Sequence, residues 1–557
     1  MEISLFSASA VFQGALPHPV FIMTSLGPIF ADDLARVKPG DRLRLTISAQ
    51  TSDAAALAQA ALEARARGER VLVVCADPAD VPRLAQEMPW FEPNLDVRPL
   101  PDWETLPYDV LSPQEELVSE RLEALYRLTA PTGGADVLLT SAVTASQRLS
   151  PVSYIGANTF FFHQGEQISL TTLQKRLAAA GYANVKQVLA AGEFAVRGSI
   201  VDVFPMGSER PFRLDFFDDE IESIRWFDVD TQRSMESAEE IRLLPGHEFP
   251  VDPEALLAFR QRWRREFAGD PKKSIVYCDI EKEILPPGIE YYLPLFFDET
   301  AALTDYLPPN ARVFLLGDIE AALQAFGRDM ASRYKVLAAD PQRPALAPER
   351  IWLKPEEFFK SLANFARFTV EKKENAEDLK CLSGIEVDRK SQNPVGKLLE
   401  RTRESAMKGV RTLIAAPSAG RMETMSQLLR TGGLSVEEFS DWQTFLEADS
   451  SLGISAAPLF SGAVFHHPEI VILSEAELYA ASPRRHRLRR VKHATTLEMM
   501  VRDVAELKPG DAVVHADHGI GRYQGLVHME TPDGDAEFLE ITYKNDAKLF
   551  VPITNLQ

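Results

Sequence analysis

Cysteine and long apolar runs are scarce in this chain of 557 residues. Its three cysteines, Cys75, Cys278 and Cys381, are far apart in sequence. This spacing excludes a disulfide framework and a Cys-x-x-Cys metal site, and it fits a reducing cytosol. No run reaches the roughly 18 apolar residues that a membrane-spanning helix needs. We therefore expect a cytoplasmic protein with no membrane partner.

The chain also lacks a phosphate-binding loop. The pattern G-x-x-x-x-G-K-[ST] occurs nowhere, and the turn after the predicted strand 42–48 reads AQTSD, without glycine or lysine. Asp53 would place a negative charge at a helix N-terminus, where a phosphate should bind. We therefore expect that the first domain does not bind ATP in the usual way, and that this chain holds no cofactor.

Catalytic and metal-binding signatures are missing as well. The acidic cluster at 215–222 is typical of a solvated turn, and no G-x-S-x-G or Cys/His signature is present. His466 and His467 are adjacent, so on a strand they point to opposite faces and cannot share a metal ion. We expect His515 and His518 to make structural hydrogen bonds. The sequence predicts no catalytic residue and no metal site.

Positive charge is scarce too, because the net charge is −21 and the isoelectric point about 5.1. Such a chain cannot present a broad nucleic-acid-binding surface. One dense basic run stands out, made of Arg484, Arg485, Arg487, Arg489, Arg490 and Lys492. Two interpretations of residues 484–492 stay open: a linker lying against the protein's own acidic surfaces, or a DNA contact.

The length predicts about three to five domains. Residues 1–23 have no Lys or Arg and contain two prolines, which does not fit a signal peptide. Both Met1 and Met23 stay open as the start, with 1–23 as a candidate mis-assigned extension. We predict an α/β domain at 24–149, a β-rich module at 150–217, a return to α/β structure at 218–355, a second α/β domain at 356–480, a basic helical linker at 481–505 and a small β-barrel at 506–557.

The most specific stretch is GEFAVRGSIVDVFPMGSERPFRLDFFDDEIESIRWFDVD, residues 192–230. Period-2 alternation in FRLDFF puts Phe212, Leu214 and Phe216 on one face and Arg213 and Phe217 on the other. Alternation in EFAVRGSIV likewise turns Arg197 away from the apolar set. Arginines beside an exposed aromatic are typical of a protein-binding hot spot. The alternative is a phenylalanine shared between two cores and two ordinary surface arginines.

This stretch resembles the UvrA-binding module shared by UvrB and the transcription-repair coupling factors. The resemblance rests on F-x-x-R-G-x-x-x-D-x-F-P followed by R-x-D-F-F-x-D-E-I. It implies that Arg197, Arg213 and Phe217 contact UvrA. It also implies a UvrB-like α/β domain of degenerate P-loop type with an inserted β-rich module. Because alternation places the three side chains away from the apolar face, we expect none of them to be needed for folding.

Residues 506–557 carry four basic against nine acidic side chains, so a protein partner is expected rather than a nucleic acid. VVHADHGIGRYQG and YKNDAKLFVP resemble the RNA polymerase-interaction domain of the coupling factors, a Tudor-like barrel shared with CarD-type regulators. The resemblance implies strand addition to the polymerase β subunit, with Met529 at a key apolar contact.

Together these features identify the chain as similar to the N-terminal half of a transcription-repair coupling factor. We expect a monomeric adaptor in transcription-coupled nucleotide excision repair that joins stalled RNA polymerase to UvrA. The resemblance implies that ATP, Mg²⁺ and most DNA contacts belong to a translocase half, whose motifs are absent from this chain. Two alternatives are a UvrB-like ATP-dependent helicase and a CarD-like transcription regulator. The missing phosphate loop opposes the first, and the UvrA-binding module opposes the second.

Overall fold

The fold is given by a computed structural model. It describes residues 20–22, 36–48, 53–129, 134–373, 375–388, 391, 393–466, 469–479, 512–515, 519–531, 534–543 and 548–552. The chain divides into two units, Met1–Tyr479 and Ala480–Gln557. The predicted basic linker at 481–505, the turn at 49–52, His467 and His518 lie outside the described residues.

The strands follow the chain in this order: β1 (Val20–Ile22), β2 (Arg42–Ser48), β3 (Val71–Cys75), β4 (Val97–Pro99), β5 (Val137–Ser141), β6 (Phe160–His163), β7 (Ala183–Asn184), β8 (Glu193–Arg197), β9 (Ile200–Val203), β10 (Phe212–Phe217), β11 (Glu220–Phe227), β12 (Ser234–Ala238), β13 (Glu240–Leu243), β14 (Arg312–Leu316), β15 (Ala366–Lys373), β16 (Arg411–Ala416), β17 (Glu437–Phe439), β18 (Leu452–Ala456), β19 (Ala463–His466), β20 (Glu469–Ser474), β21 (Ala512–His515), β22 (Gly519–Thr531), β23 (Gly534–Thr542) and β24 (Lys548–Pro552).

The α-helices are α1 (Asp53–Ala66), α2 (Asp80–Phe91), α3 (Glu115–Thr129), α4 (Ala142–Ser146), α5 (Val152–Ala157), α6 (Leu170–Ala179), α7 (Pro253–Glu266), α8 (Ile275–Glu281), α9 (Ile319–Leu337), α10 (Pro348–Ile351), α11 (Pro355–Ser361), α12 (Ala376–Cys381), α13 (Gly396–Met407), α14 (Ala419–Thr431), α15 (Trp442–Glu447) and α16 (Glu475–Leu478). Short 3₁₀ helices lie at Pro271–Lys273, Ile289–Leu295 and Leu303–Tyr306.

The first sheet is parallel and seven-stranded, in the order β1-β2-β15-β14-β3-β5-β4. Its central strands β3, β5 and β14 are buried along their whole length, as their continuous apolar runs predict. The predicted helix after β2 is present as α1, and the chain turns at Gly68 in the left-handed region.

The first sheet extends past both predicted limits of this domain. The domain does not end at 355, because β15 pairs in parallel with both β14 and β2. At the other end, β1 pairs with β2 although it lies within the segment 1–23 that we considered an extension. β1 and β15 each hydrogen-bond to strands of this sheet. The sequence pattern alone could not show which strands pair with each other.

The β-rich module is inserted between β5 and β14. It contains a six-stranded sheet in the order β12-β11-β10-β9-β8-β7 and the antiparallel pair β13-β6. The predicted boundary at 217 is wrong, because β10 continues through the turn at 218–219 into β11, with Phe217 paired to Glu220. The turn predicted from the acidic cluster at 215–222 is present as the turn of this hairpin.

The chain segments that lead out to the module and back again contact each other. Leu149 and Ala301 exchange two backbone N–H···O bonds, each 2.8 Å long, in an isolated antiparallel bridge. Closer to the module, the backbones of Gly181 and Gly246 approach so tightly that a Cβ added to Gly246 would lie 2.6 Å from the Gly181 oxygen.

The second α/β region has a five-stranded sheet in the order β17-β18-β16-β20-β19, parallel except for β19. An aromatic cluster of Trp90, Phe91, Trp442 and Phe465 packs it against α2 of the first domain. The Trp90 indole N–H also donates to the Ala456 carbonyl at 3.2 Å.

The C-terminal unit contains a four-stranded antiparallel sheet in the order β21-β22-β23-β24. The pairing of β22 with β23 shifts between Tyr523 and Gly525. Within the described ranges of both units, no helix is both long enough and apolar enough to cross a membrane.

Candidate protein-binding site

The candidate site lies on one face of the six-stranded sheet, across β8, β9 and β10. Strand register places Asp202 opposite Arg213 on one side and opposite Ala195 on the other. The alternate residues of β10, Phe212, Leu214 and Phe216, are buried in the largest hydrophobic core. The face of Arg213 is therefore the one turned away from that core, as alternation predicts.

Asp202 is the centre of this face. Only 1% of its side chain is exposed, and both of its carboxylate oxygens are bound by arginine. Arg213 donates from Nε to Oδ1 at 2.6 Å and from Nη2 to Oδ2 at 2.9 Å. Arg197 donates from Nη2 to Oδ2 at 3.1 Å. One buried carboxylate on β9 therefore joins an arginine of β8 to an arginine of β10, the strands on either side of it.

Arg213 is largely enclosed, with 15% of its side chain exposed. Its Nη1 donates to the Gln232 carbonyl at 3.1 Å and to the Ser234 hydroxyl at 3.2 Å. The guanidinium also lies over the Phe227 ring, 4.9 Å from the centroid. Hydrogen bonding to Asp202 raises the pKa of Arg213, and burial opposes that rise. Arg213 neutralises a buried carboxylate, a structural role that our expectation for this residue did not include.

Arg197 is more open, with 48% of its side chain exposed. Besides Asp202, it donates from Nη2 to the Gln232 side-chain oxygen at 3.3 Å. Both acceptors meet the same nitrogen, so the tip of the side chain is anchored while the rest borders solvent.

Phe217 is the last residue of β10 and is 72% exposed. Strand β10 alternates without a break to its end, so Phe216 is buried while Phe217 projects from the opposite face. The register shift between Asp215 and Phe216 falls on β11, where Glu222 is the extra residue. The alternative interpretation, in which Phe217 is shared between two cores, is wrong. An aromatic ring this exposed at a strand end is typical of a partner contact.

Sequence reasoning quoted Asp202 within the R-G-x-x-x-D motif but gave it no role. A carboxylate flanked by Val201 and Val203 in a short strand was the available signal, because such a residue is costly to bury without a cation. The cation could not be identified from sequence, since Arg213 is eleven residues away and the register of two strands decides the pairing.

The other predicted contact residue, Met529, lies in β22 opposite Ala536. Its side chain is outside the described part of the structure. Gln524, five residues earlier in the same strand, is exposed.

The carboxyl edge of the first sheet, where open α/β sheets bind ligands, holds an ion-pair network. Asp53, the first residue of α1, accepts from Arg83 Nη2 at 2.7 Å and from Lys372 Nζ at 2.7 Å. Burial raises the pKa of Asp53, but Lys372 and Arg83 outweigh it, so the pKa lies well below its usual value. Arg83 also pairs with Asp80 and Glu87, and Glu87 accepts from the Phe460 backbone N–H at 3.0 Å.

Three family models match the chain. The UvrB interaction domain matches residues 160–249, the MFD D3 domain matches 406–478, and the CarD-like/TRCF RID domain matches 507–557. The first match contains all four residues of the face around Asp202, and it extends past our predicted boundary at 217.

Relatives align over most of the chain. The transcription-repair-coupling factors of Haemophilus influenzae and Escherichia coli are each 37% identical to it over 496 residues, which is 87% of this chain and 42% of each relative. The factor of Bacillus subtilis is 25% identical over 484 residues, which is 79% of this chain and 38% of that protein.

Fold, site and matches define an α/β multidomain protein with a UvrB-type interaction module and a CarD-like domain. Over 87% of its length the chain is similar to transcription-repair coupling factors. It spans less than half the length of the relatives that it matches.

Proposed function

We propose that this chain is the adaptor part of a transcription-repair coupling factor, with UvrA bound on the face around Asp202 and RNA polymerase bound at the C-terminal domain. The observation that carries the proposal is that an exposed aromatic, Phe217, lies on the same face of the sheet as two arginines held by one buried carboxylate. Aromatic and arginine anchors of this kind dominate the binding energy of protein interfaces.

The finer assignment of folds is part of the same proposal. The parallel sheet with α1 at its carboxyl edge is a UvrB-like domain of degenerate P-loop type, and the four-stranded C-terminal sheet is a Tudor-like barrel. The ion pairs of Asp53 with Arg83 and Lys372 support the first assignment, since they occupy the edge at which a phosphate would bind. In this proposal ATP and Mg²⁺ belong to the translocase part of the whole protein, which displaces polymerase at lesions in the cytoplasm.

The UvrA site is tested with Phe217→Ala in the full chain. We expect at least a tenfold loss of affinity for purified UvrA in a calorimetric or interferometric titration, because truncation of a hot-spot residue costs about 2 kcal/mol or more. We expect the melting temperature to change little, since the ring is exposed.

Phe460→Ala is the matched control, because Phe460 is also exposed, at 59%, and lies in the second α/β region. It should leave UvrA affinity unchanged. If Phe217→Ala binds UvrA as well as the unchanged chain does, the face around Asp202 is not the UvrA site.

The polymerase site is tested with Met529→Arg. A charge placed without a partner in a desolvated contact costs several kcal/mol, so we expect loss of on the order of a hundredfold or more in affinity for the polymerase β subunit. Gln524→Arg adds the same charge at an exposed position of the same strand and should have a much smaller effect. Equal pull-down of polymerase by the Met529→Arg variant and by the unchanged chain would exclude Met529 from the interface.

A further inference from the structure

The two arginines of the face around Asp202 are not equally available to a partner. A guanidinium has five N–H donors. Arg213 makes four hydrogen bonds, two to Asp202, one to the Gln232 carbonyl and one to Ser234. One side of its plane is covered by the Phe227 ring. Arg213 therefore has little hydrogen-bonding capacity left for a second protein.

Arg197, in contrast, uses few of its N–H donors within the protein. Among the described residues, its acceptors are Asp202 and Gln232, and both bind Nη2. The three N–H groups on Nε and Nη1 make no hydrogen bond to a described residue, and each can donate to a carboxylate oxygen of a partner. Arg197 thus keeps donors available on Nε and Nη1 while its Nη2 is fixed to the protein.

Asp202 is hydrogen-bonded to both arginines and explains the difference between them. As a carboxylate with 1% exposure it requires a permanent counterion, and the two-point contact with Arg213 supplies one. The hydrogen bond from Arg197 to Oδ2 is not needed to neutralise Asp202, and it can therefore orient the Arg197 side chain. An exposed arginine is otherwise flexible, and fixing it before binding lowers the entropic cost of forming the interface.

We propose that Asp202 is a positioning residue for the partner: it holds Arg197 so that its Nε and Nη1 donors face the bound protein, while Arg213 serves as the internal counterion. This inference rests on the proposed binding of UvrA to this face. It separates the three residues of the motif into two contacts, Arg197 and Phe217, and one support, Arg213. It also specifies a carboxylate on the partner opposite Arg197.

The test is Asp202→Asn in the full chain, because two explanations predict opposite changes in the affinity for UvrA. If the arginines only attract an acidic partner, removing a negative charge makes the face more positive and strengthens binding. If Asp202 positions Arg197, the same change weakens binding. We expect at least a fivefold loss of affinity for purified UvrA, measured at a temperature at which circular dichroism shows the variant to be folded.

A double-mutant cycle separates positioning from general damage to the fold. Arg197→Ala should cost about tenfold in the unchanged chain and less than twofold in the Asp202→Asn background, because Arg197 is then already misplaced. Phe217→Ala should cost the same factor in both backgrounds. Equal costs of Arg197→Ala in the two backgrounds, or tighter binding by Asp202→Asn, would overturn the proposal.

Gln232→Asn provides a second variant in case Asp202→Asn does not fold. It shortens the other acceptor of Arg197 without touching a buried charge, and asparagine tolerates the positive φ of 59° found at this position. We expect a two- to threefold loss of UvrA affinity, and an unchanged affinity would count against positioning. If Phe217→Ala also has no effect, the UvrA site itself is misassigned; if Phe217→Ala weakens binding, only the role of Asp202 fails.

Discussion

A carboxylate buried beneath two arginines makes those arginines unequal in their contribution to stability. Asp202 is bonded at two points by Arg213 and at one point by Arg197. Loss of one partner from a buried pair leaves a charge without compensation, whereas loss of an exposed partner changes little. The two substitutions to alanine therefore act on different properties of the protein.

We predict that Arg213→Ala lowers the free energy of unfolding by about 2 kcal/mol, part of the full cost being offset because Arg197 remains beside Asp202. Arg197→Ala should lower it by less than about 0.5 kcal/mol. Urea denaturation of the two variants measures the difference. Equal stabilities would mean that Asp202 is compensated in another way.

For single residues, the sequence predicted which face of the sheet a side chain lies on better than it predicted the ion-pair partners of that side chain. Period-2 alternation placed Arg213 and Phe217 on the face away from the core, and the structure confirms both positions. Alternation contains no information about which strand lies beside which, so the ion pairs of Asp202 could not be predicted. The role of Asp202 follows only from the register of β9 on β10.

The elements around the inserted module depend on close backbone approach. Gly246 donates its N–H to the Ala180 carbonyl at 2.7 Å and lies against the backbone of Gly181. Only glycine fits here, because the nearest atoms to an added Cβ belong to the main chain and cannot rotate away. This contact fixes the returning chain against the end of α6.

We predict that Gly246→Ala lowers the free energy of unfolding by about 1–3 kcal/mol, as overpacking against rigid neighbours does. Gly156→Ala is the control, since Gly156 lies in α5 and an added Cβ there meets nothing within 4 Å. That change should be neutral or stabilising by up to about 1 kcal/mol, because alanine favours helix. Thermal unfolding of both variants checks the prediction, and a Gly246→Ala variant as stable as the unchanged chain would contradict it.

Element types were predictable where the apolar pattern is strong, as in β3, α1 and the strands of the binding face. Domain limits were not, for a physical reason. Acidic turn residues at 218–219 resemble a linker in composition, yet they close a hairpin whose second strand carries Ile221 and Ile224 into the core. The late strand β15 similarly belongs to a sheet whose other strands precede it by fifty residues or more.

At the scale of the whole molecule, the protein's own ion pairs occupy the carboxyl edge of the first sheet, where a ligand would bind. Asp53 receives Arg83 and Lys372 from different elements, and Glu87 extends the network to the backbone of Phe460 in the second α/β region. Arg83 and Lys372, the two cations of this network, already have carboxylate partners. A triphosphate would have to displace these pairs before it could bind.

We therefore predict that the chain neither binds nor hydrolyses ATP. Calorimetric titration with Mg²⁺-ATP should give only heats of dilution, and turnover should stay at background with or without DNA. Saturable binding at micromolar concentration would contradict both the prediction and the adaptor proposal.

The insertion of the β-rich module has a mechanical consequence. The chain leaves the sheet from β5 and re-enters at β14, two strands that flank β3, and the two segments are bonded together at Leu149 and Ala301. A protein pulling on the module would thus load two covalent tethers in parallel, on either side of one central strand. A module attached at two points transmits tension to the sheet without rotating about a single hinge.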